Sequence, residues 1–373
     1  MLLEEYLGFE GWEYRAGELK VKFLWSDSIG AKSSSMLVET PDVKVLVDPG
    51  ASEMQPGYPL SYDEKLALEG KALELIVESS RKADVVVVTH YHYDHHVVPR
   101  NSLNPYVGKT LLVKNPNVYV NESQWNRARF FLERLLESIG GSLEEHLEEP
   151  KSVEVRDPMD ELPIASSKDF GDYQKRREEL LEKGRKWFEK LVRKWTKEAW
   201  VGEIGMENLE VQFADGREFA FGRTKLRFTK PMFHGLEFER LGWVVGLVVE
   251  HGSSKLFYSS DIQGPIIEDY AVAIIEEAPD IVVLDGPPTY LYGYMLNKTN
   301  LRRAIENAVR IVEEADFEIM VYDHHLAREA RFKERLKDVY LAAQKASKRV
   351  CTLAEHAGMK PLILKVAESK QGG

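Results

Sequence analysis

The chain of 373 residues has a single cysteine, Cys351. One thiol excludes an intrachain disulfide and a thiolate cluster, so any bound metal must be held by nitrogen and oxygen ligands. No apolar run approaches the ~18 residues that a membrane span needs. The first residues, MLLEEYLGFEGWEYR, lack a basic leader followed by a long apolar segment. We therefore expect a cytoplasmic protein with no secretion signal and no membrane partner.

Basic residues are fewer than acidic ones, with 50 Lys and Arg against 61 Asp and Glu, and the formal net charge is -11. This balance disfavours a general affinity for polyanions. The local exception is a predicted helix at residues 175–197, with ten Lys or Arg, four Glu and interleaved tryptophans. Its Lys186, Lys190 and Lys194 could contact a nucleic acid backbone while the tryptophans stack on bases. A charged helix is more often a solvated surface, and both interpretations stay open.

The order of predicted elements indicates an α/β protein. Strand-like segments occupy residues 20–48 and return after residue 205, with helices between them. Ser61 and Glu64 form a capping box that predicts a helix to about Arg81. The length allows one large domain with insertions or two domains. The abundance of Glu, Lys and Arg would also suit a thermophile.

Residues 101–205 differ from the flanking segments in composition and in the spacing of their apolar residues. They contain long charged stretches with helical spacing, such as SQWNRARFFLERLLESIG, separated by a segment rich in Pro, Asp and Ser. We interpret this region as a helical insertion. It could be a lid over a functional site or a contact between two copies in a homodimer.

The stretch THYHYDHH, residues 89–96, follows the valine-rich segment ADVVVV. Four consecutive valines predict a strand buried on both faces, and open sheets place their chemistry at such strand ends. Alternate residues of an extended segment face the same way, so His90, His92 and Asp94 can converge on one cavity, with His95 directly after them. Imidazole and carboxylate are good metal ligands, and the spacing predicts two neighbouring metal sites.

Three other histidines, His146, His251 and His356, lie in polar or Gly-flanked surroundings. We expect them at the surface. Cys351 has no charged partner nearby in sequence, and we expect it to be a packing residue.

The H-x-H-x-D-H pattern at His90 to His95 resembles that of the metallo-β-lactamase superfamily. Similarity continues over roughly residues 20–100 and 217–330, where matching residues close predicted strands in the order of the superfamily. Within the superfamily, THYHYDHH and the doubled histidine in YDHH resemble an archaeal group of predicted metal-dependent hydrolases. The resemblance implies one domain over residues 1–373 with the four-layer αββα fold and the helical insertion.

The resemblance also implies the remaining ligands. His234, in TKPMFHG, matches the third histidine of the first site, and Asp261, in KLFYSSD, matches the carboxylate that bridges both metals. His325 or His324 is the last ligand of the second site, and HLAR after the pair favours His325. The other histidine would then be a proton donor to the leaving group or a hydrogen-bonding support. Asp48, in VLVDPG, matches an aspartate that orients the ligands by hydrogen bonding.

These ligands imply a hydrolase in which a hydroxide bridging two divalent ions attacks an electrophilic centre, with Asp94 essential for catalysis. The His and Asp set suits Zn first, and Mn, Fe or Co as alternatives. The segments around residues 26–50 and 234–261 resemble the phosphodiesterase side of the superfamily, so a phosphodiester, including one in a nucleic acid, is the preferred substrate. Ester, lactone and thioester substrates fit the same machinery.

Two further classes stay open. Iron-dependent oxidoreductases share the fold, but they resemble H-x-E-x-D at this motif, and His92 stands where their Glu would be. A non-catalytic binding module is the other alternative, and an intact ligand set disfavours it.

Overall fold

The computed structural model describes residues 3–100, 103–152 and 155–371. In the first half of the chain the strands are Trp12–Ala16 (β1), Leu19–Ser26 (β2), Ser34–Glu39 (β3), Lys44–Val47 (β4), Val85–Val88 (β5), Lys109–Val113 (β6) and Leu147–Glu148 (β7). In the second half they are Trp200–Val201 (β8), Ile204–Met206 (β9), Leu209–Phe213 (β10), Glu218–Phe221 (β11), Thr224–Phe228 (β12), Met232–Phe233 (β13), Trp243–Val244 (β14), Leu247–His251 (β15), Ser254–Tyr258 (β16), Ile281–Leu284 (β17), Ile319–Tyr322 (β18) and Arg349–Cys351 (β19).

The α-helices lie before, between and after these strands. They are Glu4–Leu7 (α1), Tyr62–Ser80 (α2), Glu122–Glu137 (α3), Pro163–Ser167 (α4), Gln174–Trp195 (α5), Glu268–Glu277 (α6), Lys298–Glu314 (α7), Phe332–Arg335 (α8), Lys337–Lys345 (α9), Leu353–His356 (α10) and Leu362–Gln371 (α11). The predicted capping box is confirmed at the start of α2, where Ser61 Oγ accepts from the Glu64 N–H and the Glu64 carboxylate accepts from the Ser61 N–H. None of the helices in the described ranges is both long and apolar enough to cross a membrane.

The strands form two large sheets. The first has the order β1-β2-β3-β4-β5-β6-β10-β9, and the second has the order β11-β12-β15-β16-β17-β18-β19. The centre of the first sheet is parallel, since β5 pairs in parallel with β4 and β6. All four valines of β5 are buried, as predicted for a strand covered on both faces. Burying one valine side chain stabilises the fold by roughly 1.5 to 3 kcal/mol relative to exposing it.

The second sheet separates two hydrophobic cores because neighbouring residues of a strand point to opposite faces. In β17, Ile281 and Val283 belong to the first core, which also contains residues of the first sheet. Val282 and Leu284 belong to the second core, where they pack among helices. Helices α6, α7 and α9 cover that outer face, and helices α2 and α3 contribute to the core of the first sheet. The predicted α/β class with the four-layer αββα arrangement is confirmed.

The boundaries predicted for the helical insertion are wrong at both ends. Two strands within residues 101–205 belong to the first sheet and are not part of an insertion. They are β6, which pairs with β5 and β10, and β9, which pairs with β10. The β6 segment KTLLV is too short for its periodicity to separate a strand from a helix. Residues 101–102 and 153–154 of the predicted insertion lie outside the described residues.

Two of the three histidines expected at the surface are buried instead. His251 contacts Thr224 Oγ1 at 2.8 Å, and His356 Nε2 lies 3.2 Å from the carbonyl oxygen of Met320. His251 is the last residue of β15, and His356 is the last residue of α10. Their burial depends on contacts with residues that are distant in sequence.

Candidate metal centre

The predicted site residues gather at the carboxyl ends of strands from both large sheets and from a two-stranded sheet formed by β13 and β14. His90 and the rest of the THYHYDHH stretch follow β5, His234 follows β13, Asp261 follows β16 by two residues, and the doubled histidine follows β18. Three close groups of ligand atoms result among the described residues, and the third contains Asp261, His324 and His325. The first contains His90, His92, His234 and Asp261, and the second contains Asp94, His95 and His324.

The two carboxylate oxygens of Asp261 face different groups. Its Oδ2 lies 3.5 Å from Nε2 of His90 and 3.5 Å from Nε2 of His234. Its Oδ1 lies 3.1 Å from Nε2 of His95 and 3.5 Å from Nε2 of His324. One carboxylate therefore connects the two groups, which is the arrangement that a bridging ligand needs.

The first group consists of neutral imidazoles around a carboxylate. Burial lowers the pKa of His92 to about 4 and that of His234 to about 3, and it holds the pKa of His90 well below the ordinary value. The Nε2 atoms of His90 and His234 are buried and have no hydrogen-bond partner among the described residues. A neutral imidazole with an unused lone pair is the form that binds a metal ion, so this donor set fits a cation.

The second group lies in a strongly negative environment. Burial opposes protonation of His95, but Asp261 and Asp48 outweigh it and raise the pKa of His95 to about 10. Burial likewise opposes protonation of His324, whose pKa is raised by Asp27 and Asp261. Positive charge is thus favoured between these carboxylates, and a metal ion that displaces the two protons would supply it.

Asp48 orients His95 of the second group through a hydrogen bond. Its Oδ2 lies 2.9 Å from Nδ1 of His95 and accepts from the hydroxyls of Thr89 at 2.6 Å and Tyr258 at 2.7 Å, while its Oδ1 accepts from the Thr89 N–H at 2.8 Å. These contacts leave Nε2 of His95 facing Asp261. Asp48 itself adopts a φ of 44°, a left-handed conformation that costs on the order of 1–3 kcal/mol and is typical of functional sites.

Gly50 allows the chain after Asp48 to approach the histidine stretch. A Cβ at this position would lie 2.2 Å from the backbone N of His96 and 2.6 Å from the backbone N of His95. These distances are far below van der Waals contact, and both atoms belong to the backbone. Only glycine therefore fits here without moving the segment that carries His95.

The two adjacent histidines have different neighbours. Nε2 of His324 lies 3.4 Å from Nε2 of His95 and 3.8 Å from Oδ2 of Asp94, so His324 completes the second group. His325, the ligand preferred from sequence, has a φ of 65°, and its Nδ1 lies 2.7 Å from Oδ1 of Asp285, while the residue also belongs to the third group. The left-handed turn directs adjacent side chains differently, and the sequence gives no signal for it.

Three supporting residues of the site were missed in the sequence. Asp27 lies 2.9 Å from Nδ1 of His324, and its other oxygen accepts from Nε of Arg328 at 2.5 Å. Asp285 contacts His325 and accepts from the N–H of Gln263 at 2.7 Å. Asp27 and Asp285 each directly follow a buried strand, β2 and β17, so the strand-end signal that identified Asp48 could have identified them. Arg328 is the arginine of the HLAR run, to which no role was assigned from sequence.

A cavity of about 250 Å³ is lined by side chains of both groups. Those side chains are His92, Asp94, His234, Asp261 and His325. Two cationic residues, Lys32 and Arg328, also line it. Nη2 of Arg328 lies 3.6 Å from Oδ2 of Asp94, and its Nη1 donates to the Tyr290 hydroxyl at 3.3 Å.

The basic helix α5 lies against the segment that follows His234 rather than in the cavity lining. Its Trp187 stacks on Trp243 with ring centroids 5.7 Å apart, and its Phe188 and Trp195 belong to the second hydrophobic core. Lys186 pairs with Glu182 at 2.6 Å and Lys194 with Glu122 at 3.5 Å, while Lys190 is exposed. None of the three lysines lines the described cavity.

A buried ion-pair network fixes the same segment. Arg177 of α5 donates to Oε1 of Glu237 at 2.9 Å, and Arg303 of α7 donates to the same oxygen at 2.8 Å. The Cβ of Phe238 lies 2.3 Å from where a Cβ on Gly184 would be, so the glycine lets α5 approach closely. The helix α5 thus packs against the segment that follows His234 and holds it in place.

The fold and the strand-end residues define a protein of the metallo-β-lactamase superfamily, whose family model matches residues 30–96. A UPF0282 protein of Korarchaeum cryptofilum is 31% identical over 355 residues, covering 95% of this chain and 94% of that protein. A UPF0282 protein of Methanopyrus kandleri is 31% identical over 369 residues, covering 95% and 99%. The chain belongs to the UPF0282 family.

A solved structure is also similar in fold. The metallo-beta-lactamase fold protein YhfI from Bacillus subtilis is 14% identical, with coverage of 89% of this chain and 94% of that chain and a TM-score of 0.40.

Proposed function

We propose that the protein is a hydrolase with two divalent metal ions that cleaves a phosphodiester bond. The observation that carries this proposal is the position of Asp261, whose two oxygens face the two separate groups of histidines. A single cation would need only one of these groups. The proposed ligands are His90, His92 and His234 for one ion, Asp94, His95 and His324 for the other, and Asp261 for both.

The donor set supports Zn as the first choice. All ligand atoms are imidazole nitrogens or carboxylate oxygens, which Zn accepts readily and which also suit Mn, Fe or Co. In the first group, the buried Nε2 atoms of His90 and His234 have no hydrogen-bond partner among the described residues. In the second group, the raised pKa of His95 shows that positive charge is favoured. Both observations fit a cation at each group. When bound, the ions would activate a water molecule as the nucleophile at neutral pH and neutralise negative charge on the substrate oxygens.

His325 is proposed to handle the proton of the leaving group. Burial raises the pKa of Asp285 and lowers that of His325, so the contacting pair holds one proton between them. With Nδ1 directed to Asp285, Nε2 is the ring nitrogen on the cavity side. A proton at this Nε2 can pass to the departing oxygen, which reverses the roles expected for His324 and His325 from sequence.

The cations of the cavity favour an anionic substrate. Arg328 is fixed by Asp27 and by Tyr290, so its guanidinium is held in place before substrate binds. A held guanidinium is well suited to a phosphate oxygen. A neutral ester, lactone or thioester would gain less from Arg328 and Lys32, which is why the phosphodiester is preferred over these substrates.

The proposal is tested on protein whose metal content has been quantified. We expect hydrolysis of bis(p-nitrophenyl) phosphate to exceed that of a lactone and a thioester, to disappear with a chelator and to return with Zn. Asp261→Asn should lose both metal ions and the activity, while Asp316→Asn, at an exposed aspartate distant in sequence, serves as the matched control. Full activity of Asp261→Asn would refute the proposal, and a redox-active iron centre would indicate an oxidoreductase instead.

A further inference from the structure

The cavity over the metal centre has a charged end and an apolar wall. Lys32 and Arg328 lie among its charged lining residues, with Arg328 close to Asp94. Its apolar lining, called the wall below, is formed by Leu236, Leu241, Ile266, Leu291, Met295 and Leu296. A site that bound only the phosphate group and the metals would have no use for such a wall.

The wall is built into the fold. Ile266 and Leu296 are buried and belong to the second hydrophobic core. The backbone N–H groups of Met295 and Leu296 donate to the carbonyl oxygen of Leu291 at 3.1 and 3.2 Å, which closes a tight turn. Tyr290, in the same turn, is tied to Arg328. Arg328 is therefore tied through Tyr290 to the turn that carries part of the apolar wall.

The cavity is small. Its volume is about 250 Å³. Typical small-molecule sites begin at ~300 Å³. One phosphate group with a short substituent uses this space, whereas a nucleotide with its base would have to extend outside.

The surface outside the cavity lacks the features of a polynucleotide track in the part of the chain that the structure describes. A single strand is usually bound by a basic groove with aromatic side chains on which bases stack. Of the tryptophans of α5, Trp195 is buried and the partly buried Trp187 is stacked on Trp243, and two of the three candidate lysines are paired with glutamates. Glu239, which also lines the cavity, adds a carboxyl group whose pKa is raised by burial.

We infer that the substrate is a small phosphodiester with one short alkyl or similarly apolar substituent, held against the wall of Leu241 and Met295, rather than a nucleic acid. This inference rests on the proposed phosphodiesterase function. The phosphate oxygens would face Arg328 and Lys32, and the apolar substituent would contact the apolar lining residues.

Binding is measured first, because it does not depend on turnover. Dimethyl, ethyl methyl and butyl methyl phosphate are titrated into Zn-loaded protein by calorimetry. We expect the affinity to rise with chain length by about fourfold for each methylene placed on the wall. A short single-stranded oligoribonucleotide should bind more weakly than butyl methyl phosphate. Equal affinities along the series, or tighter binding of the oligoribonucleotide, would overturn the inference.

A matched pair of variants locates the effect. Met295→Gln changes a wall residue that is 50% exposed, and Met206→Gln makes the same change at a residue that is 38% exposed and does not line the cavity. We expect Met295→Gln to reduce the preference for butyl over methyl by about fourfold or more, and Met206→Gln to preserve it. Loss of the preference in both variants, or in neither, contradicts the assigned wall.

Hydrolysis of the methyl, ethyl and butyl esters of p-nitrophenyl phosphate separates this inference from the function on which it rests. Cleavage without chain-length dependence would preserve the proposed function and overturn the inference. Chain-length-dependent binding without cleavage of any ester would support the apolar ligand class and refute the phosphodiesterase function.

Discussion

Nδ1 of His324 lies 2.9 Å from Oδ1 of Asp27. Asp27 directly follows β2 of the first sheet and His324 follows β18 of the second, so this contact joins the two sheets at the site. With Nδ1 occupied, Nε2 is directed at Asp94, His95 and Asp261. The contact thereby decides which ring nitrogen is offered to a metal ion.

The Asp27–His324 contact predicts the effect of Asp27→Asn. The variant loses the charge that orients His324 and pairs with Arg328, so we expect metal affinity at the second group to fall by about 10- to 100-fold. Competitive metal titration measures this fall, and circular dichroism checks that the variant is folded. Asp338→Asn, at an exposed position on α9, is the control. Unchanged affinity in folded Asp27→Asn would show that the contact does not orient a ligand.

The two adjacent histidines predict opposite results for a matched pair of variants. His324→Ala should bind one metal ion fewer per chain because it removes a proposed ligand. His325→Ala should keep both ions and lose about 10²- to 10⁴-fold in kcat, which is the usual contribution of a proton donor. Elemental analysis and steady-state kinetics measure the two effects. Loss of metal in His325→Ala with retention in His324→Ala would restore the assignment made from sequence.

The close approach at Gly50 predicts a steric effect. Gly50→Ala places a methyl group against the backbone of His95 and His96, and we expect a loss of about 1–3 kcal/mol in the free energy of unfolding together with weaker metal binding. Gly57→Ala is the matched control because nothing lies within 4 Å of its Cβ position. Urea unfolding of both variants measures the difference. Equal stabilities would mean that the segments can separate without cost.

The buried pair of arginines around Glu237 predicts a pH dependence of stability. Burial alone would raise the pKa of Glu237, but Arg303 and Arg177 outweigh it and lower the pKa from 4.5 to about 2. A carboxyl group with a lower pKa in the folded state stabilises the protein above the unfolded pKa, and this contribution is lost as the pH falls from 4.5 towards 2. The shift corresponds to about 3 kcal/mol at neutral pH.

We therefore expect Glu237→Gln to be less stable than the parent protein at pH 7 by about this amount, with a smaller difference at pH 3. Urea unfolding at both pH values measures it. Glu189→Gln, at an exposed glutamate on α5, is the control. A difference that is the same at pH 3 and pH 7 would assign the effect to packing and not to ionisation.

The position of the lysines on α5 predicts the behaviour of a triple variant. Replacing Lys186, Lys190 and Lys194 by Ala should leave kcat/KM on small phosphodiesters unchanged, because none of them lines the cavity. Retention of RNA at low salt is the second measurement on the same variant. Weaker retention than in the parent protein would support a nucleic acid contact through the helix, as one interpretation of the sequence holds.

The candidate site could be predicted from sequence wherever each residue carries its own local signal. His90, His92, Asp94 and His95 share one short segment after a valine strand, and Asp48, His234 and Asp261 each follow a recognisable strand. Parallel strands bring their carboxyl ends to one edge within each large sheet, whereas the meeting of the two sheets and the position of His234 after β13 depend on the tertiary structure. The same rule would have found Asp27 and Asp285.

The sequence by itself determined the α/β class, the capped helix after Ser61 and the main set of metal-ligand candidates, because these depend on periodicity and on short motifs. Only the tertiary structure decided that His324 rather than His325 faces Asp94, since a single left-handed residue reverses the directions of adjacent side chains. It also decided that Phe188 and Trp195 of α5 are buried and that apolar side chains line the same cavity as Arg328. These features arise from contacts between segments distant in sequence, and no local pattern encodes which distant surface a side chain meets.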